Sequence, residues 1–393
     1  MQTRKPQLDA LTGVRFFAAF HVVVYHHAAL LDPLVPAALP FLGHYLHTGY
    51  SGVNLFFVLS GFILAYTYCD PRRPPVVDPE RFWVARFARI YPVYLLGLLL
   101  VAPLVVSHFA ATNAEATAAL KIGVSGAVAA GLFQAWIPPL AGIWNSPGWT
   151  LSVEAFFYAL FPFLVPLLWP LSRRQALVAA GVAWALGLLP PLVSMLVLAP
   201  ELPVAPGHGH MPVEPLAGFL RIAPIFRLHE FVFGICLARA FFPDPAAGAR
   251  SARRFGAVAL GAAASILLAL ALAPRIPRLL IEAGVLDPLY GALIVGLASG
   301  RSPLRSLLAT PPMRILGEAS YALYILHIPL RAWMERGLGA PVAELGARFF
   351  ALYAPLAVAL SVLAFYALED PARRWIRSRA PAAIERLTRA VRP

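Results

Sequence analysis

The sequence predicts an all-α integral membrane protein, a bundle of about ten transmembrane helices with a re-entrant segment before the fourth span. Three observations carry this. Of 393 residues, 60% are hydrophobic and only 13% charged, with mean hydropathy +0.71. A soluble domain carries about a quarter charged residues, and half that fraction cannot cover a globular surface. The apolar residues fall into runs that match a bilayer about 30 Å thick, which needs about 20 helical residues. The Lys and Arg residues sit in short clusters between those runs. The same composition excludes other classes. The apolar content rules out a disordered chain, and two cysteines, Cys69 and Cys236, make no disulfide scaffold. The net charge of +13 lacks a basic domain or an aromatic-interleaved patch, so it reads as topology signals and not as a nucleic-acid interface.

Ten runs are long enough to span, near 10–31, 50–69, 88–109, 150–171, 175–198, 222–242, 255–274, 283–300, 313–333 and 346–369. The first carries Arg15, His21, His26 and His27 and lacks a small-residue cleavage site, so it reads as a retained helix and not a signal peptide. A weaker run at 121–137 holds Lys121, three glycines and Gln134, and is followed by Pro138 and Pro139. Its status decides the topology. With Arg4 and Lys5 inside, the loop carrying Arg72, Arg73, Arg81, Arg86 and Arg89 is also inside. If 121–137 crosses fully, the later basic clusters at 173–174, 250–254, 301–305 and 373–379 all land outside. If it is re-entrant, all land inside, as the positive-inside rule requires. The expected arrangement therefore has both termini cytoplasmic, a transmembrane domain over 1–376 and a basic cytosolic tail over 377–393. Irregular backbone at membrane depth is tolerated only against protein or a wet cavity, so a cavity is expected near 138–154.

Ionisable groups inside spans cost at least about 2.5 kcal/mol each on insertion scales and are functional candidates. Arg15 and His26 are eleven residues apart, three turns plus about 20°, with a rise of roughly 16 Å. They share a face and suit a ligand that is anionic at the cytosolic boundary and reacts deeper in. Snorkelling by Arg15 and a helix–helix hydrogen bond by His26 are the alternative. His21 and His27 point elsewhere and read as structural. Arg86 and Arg89 lie at i and i+3 and can clamp phosphate, or serve only as topology signals. Ser146-Pro147 starts a helix that places Thr150 and Glu154 on one face. Glu154 is an acid for His26 or a cap on its own helix. Arg227-Leu-His229-Glu230, Glu318, Ser320, Tyr321, Tyr324 and His327 read first as structural hydrogen-bonding groups. His208-Gly-His210-Met211 is too sparse for a metal site, and none is expected. Glu369-Asp-Pro371 reads as a helix end before the basic tail.

Together these residues resemble the acyltransferase-3 family of membrane-bound acyltransferases. The resemblance runs through Arg15 with His26, Gly52-Val-Asn-Leu-Phe-Phe-Val-Leu-Ser60-Gly61-Phe62, Arg86-x-x-Arg89 with Tyr91-Pro92, Trp149-Thr-Leu-Ser152-Val-Glu154 with Tyr158, Ser320 to His327, and Glu369-Asp-Pro371, in order over nearly the whole chain. It implies O-acylation of a hydroxyl on a sugar of a polysaccharide, glycolipid or glycosylated natural product. Acyl-CoA, typically acetyl-CoA, would be co-substrate with no bound cofactor, and the setting a bacterial cytoplasmic membrane. Carried onto this chain, it implies His26 as base or acyl relay with Glu154, and Arg15, Arg86 and Arg89 on the acyl-CoA. Ser152, Trp149, Tyr158 and His327 would support the acceptor or the histidine. No Ser-His-Asp triad or nucleophile elbow is evident. Some relatives carry an appended hydrolase-like domain that this sequence lacks, so any second step would fall to another protein. A proton-coupled transporter or flippase is the competing class, with the same charges as relay and phosphate site.

Overall fold

The computed structural model describes residues 5, 7–70, 73–197, 215–242, 248–339 and 341–379, and no β-strand occurs among them. The expectations placed on Arg4, Arg72, His208, His210, Met211 and most of the 377–393 tail lie outside these residues. Eleven principal helices follow in order: α1 Asp9–Tyr25, α2 Gly52–Tyr68, α3 Pro79–Thr112, α4 Glu115–Ala130, α5 Trp149–Leu168, α6 Arg173–Val197, α7 Pro224–Ala240, α8 Ala249–Ala271, α9 Asp287–Ser299, α10 Pro311–Leu338 and α11 Ala347–Ala364.

Seven helical stretches among the described residues are long and apolar enough to cross a membrane, or eight if Asp9–Tyr25 and Ala28–Leu34, bent by 77°, form one span. That count is below the expected ten. With the bent first span counted, the difference lies in α7 and α10. Both occupy their expected positions, but α7 is only 17 residues long and carries Arg227, His229, Glu230 and Arg239. α10 carries Arg314, Glu318, Arg331, Glu335 and Arg336. α7 buries Arg227, His229 and Glu230 against protein, whereas α10 keeps its charges toward its two ends, Arg314, Glu318 and Arg336 exposed, and buries an uncharged middle.

The segment before the fourth expected span is short, as its glycines and prolines foretold. α4 has 16 residues, a rise of roughly 24 Å, and three single 3₁₀ turns follow at Gln134–Trp136, Pro138–Leu140 and Ser146–Gly148. Its irregular backbone is held by side chains. Gln134 Nε2 donates to the Tyr94 hydroxyl at 3.0 Å and to the Gly148 carbonyl at 2.7 Å. Asn145 Nδ2 donates to the Ile325 carbonyl at 3.0 Å, and Trp144 Nε1 to Ser125 Oγ at 2.9 Å. Ser146-Pro147 makes one 3₁₀ turn, and α5 follows directly.

Helix pairs close where small residues remove the Cβ. At the α2–α7 crossing, Gly61 lies against the Phe231 carbonyl and Gly234 against the Val58 carbonyl, so a methyl at either position would collide with backbone. Lys5 adds a fixed C-terminal cap to α2. Its ammonium donates to the carbonyls of Tyr66 at 2.6 Å, Thr67 at 3.3 Å and Cys69. At the far end of the chain the structure corrects an expectation. Glu369-Asp-Pro371 does not end a helix: Phe365–Glu369 is a π-helical turn, and helix resumes to Arg379. The wide turn accommodates Pro371, which lacks an N–H and would clash in a regular helix.

Candidate active site

Two cavities meet inside the bundle. The first has an empty volume of about 840 Å³ including its mouth. α1 supplies Arg15 to it, α3 supplies Arg86 and Arg89, and α5 supplies Thr150, Glu154 and Tyr158. The i, i+3 and i, i+4 spacings thus place these side chains together as the sequence suggested. Glu154 Oε2 accepts from the Tyr158 hydroxyl at 2.9 Å. Arg86 Nη2 reaches the Tyr68 hydroxyl only at 3.5 Å, its guanidinium lies 5.8 Å from the Tyr68 and Phe82 rings, and its Nε is buried without a hydrogen-bond partner. Arg89 differs. It is ion-paired to Glu369, a carboxylate with no exposed surface, and its guanidinium lies 5.9 Å from the Tyr321 ring. Among the described residues neither Arg15 nor Arg86 has an ion-pair partner, so these two guanidiniums remain available to an anion.

The second cavity has an empty volume of about 710 Å³. It is lined by His26 at the end of α1, by Tyr25, Tyr50 and Asn54, and by Ser146, Pro147 and Trp149 leading into α5. Arg221, Arg227, Arg278 and Glu282 close it. Glu282 is held between two arginines, with Oε1 2.8 Å from Arg278 Nε and Oε2 2.6 Å from Arg221 Nε. Arg278 also donates to the Tyr25 hydroxyl at 2.9 Å and stacks 4.7 Å from the Tyr50 ring. Aromatic faces interleaved with fixed polar groups suit a polar ring-shaped ligand.

The His26 ring is oriented by its neighbours. His26 Nδ1 lies 2.9 Å from the Val22 carbonyl and 3.2 Å from His327 Nε2. His327 Nδ1 lies 2.8 Å from the Tyr324 carbonyl. A ring nitrogen against a carbonyl carries the hydrogen, so both neutral imidazoles are assigned as the Nδ1–H tautomer. His26 Nδ1–H is then shared between Val22 and His327, and the lone pair of His26 Nε2 is left open. Arg331 donates to the His26 carbonyl at 2.7 Å, and the Tyr353 hydroxyl to the His327 carbonyl at 2.7 Å, which fixes the pair from behind.

Glu154 lines the first cavity and His26 the second, so the acid expected beside His26 is replaced by His327. Trp149 faces the second cavity and Tyr158 the first. Ser152 enters neither: it is buried, and its Oγ accepts from the Ala135 N–H at 3.3 Å, tying the irregular segment to α5. His21 and His27 stay outside both cavities, His21 Nε2 donating to the Tyr45 carbonyl and His27 packing on Tyr353. Arg221, Arg278 and Glu282 were not singled out by sequence reasoning, because they stand in short helices between spans where charges are ordinary. The one metal-like cluster among the described residues is His229, Glu230 and Asp287, with ligand atoms within 4.8 Å. Arg227 occupies it with a forked pair to Glu230 at 2.9 Å, and both His229 ring nitrogens face carbonyls, of Phe226 and Ala283. This is a charge network more than a ligand set.

A family model described as an acyltransferase domain matches residues 8–367. Acyltransferase MdmB of Streptomyces mycarofaciens is 30% identical over 98% of this chain and 96% of its own length. The exopolysaccharide production protein ExoZ of Rhizobium meliloti is 28% identical over 87% of this chain and 95% of its own. The putative peptidoglycan O-acetyltransferase YrhL of Bacillus subtilis is 25% identical over 93% of this chain but 55% of its own length. No solved structure matches the chain. By the extent of these matches, the multi-helix membrane bundle holding the two cavities belongs to the acyltransferase-3 family.

Proposed function

We propose that the protein is an O-acyltransferase that takes acyl-CoA into the cavity of Arg15 and Arg86 and delivers its acyl group to a sugar hydroxyl held in the cavity of His26. The observation that carries this reading is the contact between the two chambers, which share Val53 and Tyr324. Coenzyme A is rich in phosphate, and two guanidiniums not engaged in a close ion pair, in a cavity where arginines outnumber the one carboxylate, Glu154, suit it. Three turns of α1, roughly 16 Å, separate Arg15 from His26, so a long thioester can be anchored at one and react at the other.

In this reaction the acceptor oxygen attacks the thioester carbonyl carbon while His26 Nε2 takes the hydroxyl proton. The carbon–sulfur bond breaks, and the departing thiolate of coenzyme A receives that proton from His26. His327 holds the tautomer that leaves Nε2 free. Glu154, hydrogen-bonded to Tyr158 among the arginines, orders the donor cavity. The names of the relatives, one an exopolysaccharide production protein and one a putative peptidoglycan O-acetyltransferase, support a carbohydrate acceptor. Their bacterial sources support a bacterial cytoplasmic membrane, and the basic clusters support cytoplasmic termini.

The test is release of free thiol by protein purified in lipid and supplied with acetyl-CoA and a panel of sugar-bearing acceptors. Release that depends on acceptor is expected. A transporter using the same charges as a proton relay would leave acetyl-CoA intact, and that result would overturn the reading.

A further inference from the structure

We propose that Val53 and Tyr324 form a partition that sets the length of the acyl group, admitting two or three carbons and rejecting longer chains. The proposal rests on the assignment of donor and acceptor cavities made above. Val53, in the first turn of α2, and Tyr324, midway along α10, are the two residues that line both chambers. Each has under a tenth of its surface exposed. Neither is free to swing aside. Val53 is β-branched and confined to one main rotamer in a helix. The Tyr324 ring packs edge-on against Phe56 at 5.9 Å and lies 6.2 Å from the His327 ring.

The thioester carbonyl must come within reach of an oxygen whose proton His26 removes, so the acyl group lies at this partition when it reacts. Its sulfur stays on the arginine side. Behind the carbonyl, an acetyl or propionyl tail needs little room. Each further methylene must fit against Val53 and the Tyr324 ring, or fold back toward the apolar wall of Phe56, Leu59 and Leu151 and draw the carbonyl away from His26. A methylene that meets a close-packed wall changes selectivity by roughly 10–200-fold. The polar groups at the far ends of the two cavities act on other parts of the two substrates and leave this discrimination to the partition.

The experiment compares kcat/KM for acetyl-, butyryl- and hexanoyl-CoA, at fixed saturating acceptor, in wild type, Val53→Ala and Val53→Leu. Wild type is expected to favour acetyl over hexanoyl by about 100-fold or more. Val53→Ala should raise the hexanoyl-to-acetyl ratio at least tenfold, and Val53→Leu should depress the butyryl-to-acetyl ratio. Two opposed substitutions keep the test decisive if one of them folds poorly. Ratios within twofold of wild type in a folded, acetyl-transferring variant would overturn the partition while leaving the donor assignment standing. Failure of wild type to consume any acyl-CoA in the presence of acceptors would instead overturn the donor assignment, and this proposal with it.

Discussion

His327 Nε2 lies 3.2 Å from His26 Nδ1, and the two rings, 4.9 Å apart, are each anchored to a backbone carbonyl one turn back on their own helices. The contact joins α1 to α10 across 301 residues of sequence. It gives His26 an orienting partner that is itself neutral, in place of the carboxylate found in many acid–base pairs. His26→Ala should therefore lower the transfer rate by about 10²–10⁴-fold, the range for loss of a general base. His327→Ala should lower kcat with KM for acyl-CoA within about twofold, because it acts through the orientation of His26. Steady-state kinetics on both variants check this; an unchanged kcat in His327→Ala would remove the orienting role.

Arg89 and Arg86 stand one turn apart, yet the structure gives them different work. Arg89 is neutralised by buried Glu369, so Glu369→Ala leaves an uncompensated buried charge and should cost about 3–5 kcal/mol of stability. Thermal unfolding in detergent or lipid measures it. Arg86→Ala should leave stability nearly unchanged. Equal stability losses in the two variants would argue that both arginines are structural.

Ser152→Ala removes one acceptor for the Ala135 N–H and nothing from either cavity. A loss of about 1–3 kcal/mol is expected because a buried N–H is left without a partner, with KM for acyl-CoA unchanged. A tenfold rise in that KM would place Ser152 on the substrate.

At Gly61 or Gly234 an alanine methyl meets the carbonyl of the facing helix. Either substitution should reduce stability by about 1–3 kcal/mol or more, since backbone must move to accommodate it. Gly123→Ala, whose Cβ would meet open space, is the matched control and should be neutral or slightly stabilising. Equivalent behaviour of the buried and open positions would contradict the close α2–α7 crossing.

Much of this was legible in the sequence because it is local. Arg15 and His26, Arg86 and Arg89, and Thr150 and Glu154 are related by helical spacing, and their shared faces follow from 3.6 residues per turn. The shortness of α4 and the cavity beside it followed from glycines, prolines and basic clusters. What spacing could not supply were contacts between distant helices. Sequence pairs Glu154 with His26 as acid–base groups at similar depth, whereas packing puts Tyr324 and Val53 between their cavities. Spacing alone makes His327 a structural histidine, and the family resemblance implies a supporting role; its direct contact with His26 depends on how α10 packs against α1. Arg278 and Glu282 stand at i, i+4 in one short helix, but the second arginine on Glu282, Arg221, comes from a separate helix that local spacing does not connect to it. The helix assumed to end at Pro371 continues because a π-turn, invisible in hydrophobic periodicity, makes room for the proline and turns Glu369 toward Arg89.

On the proposed function, donor and acceptor occupy opposite sides of the Val53–Tyr324 partition. Measuring KM for acyl-CoA and for the sugar acceptor in Arg86→Ala and Trp149→Ala tests it most directly. Arg86→Ala should raise KM for acyl-CoA about tenfold or more and leave that for the acceptor within twofold, and Trp149→Ala should do the reverse. A rise in acceptor KM with unchanged acyl-CoA KM in Arg86→Ala would contradict it.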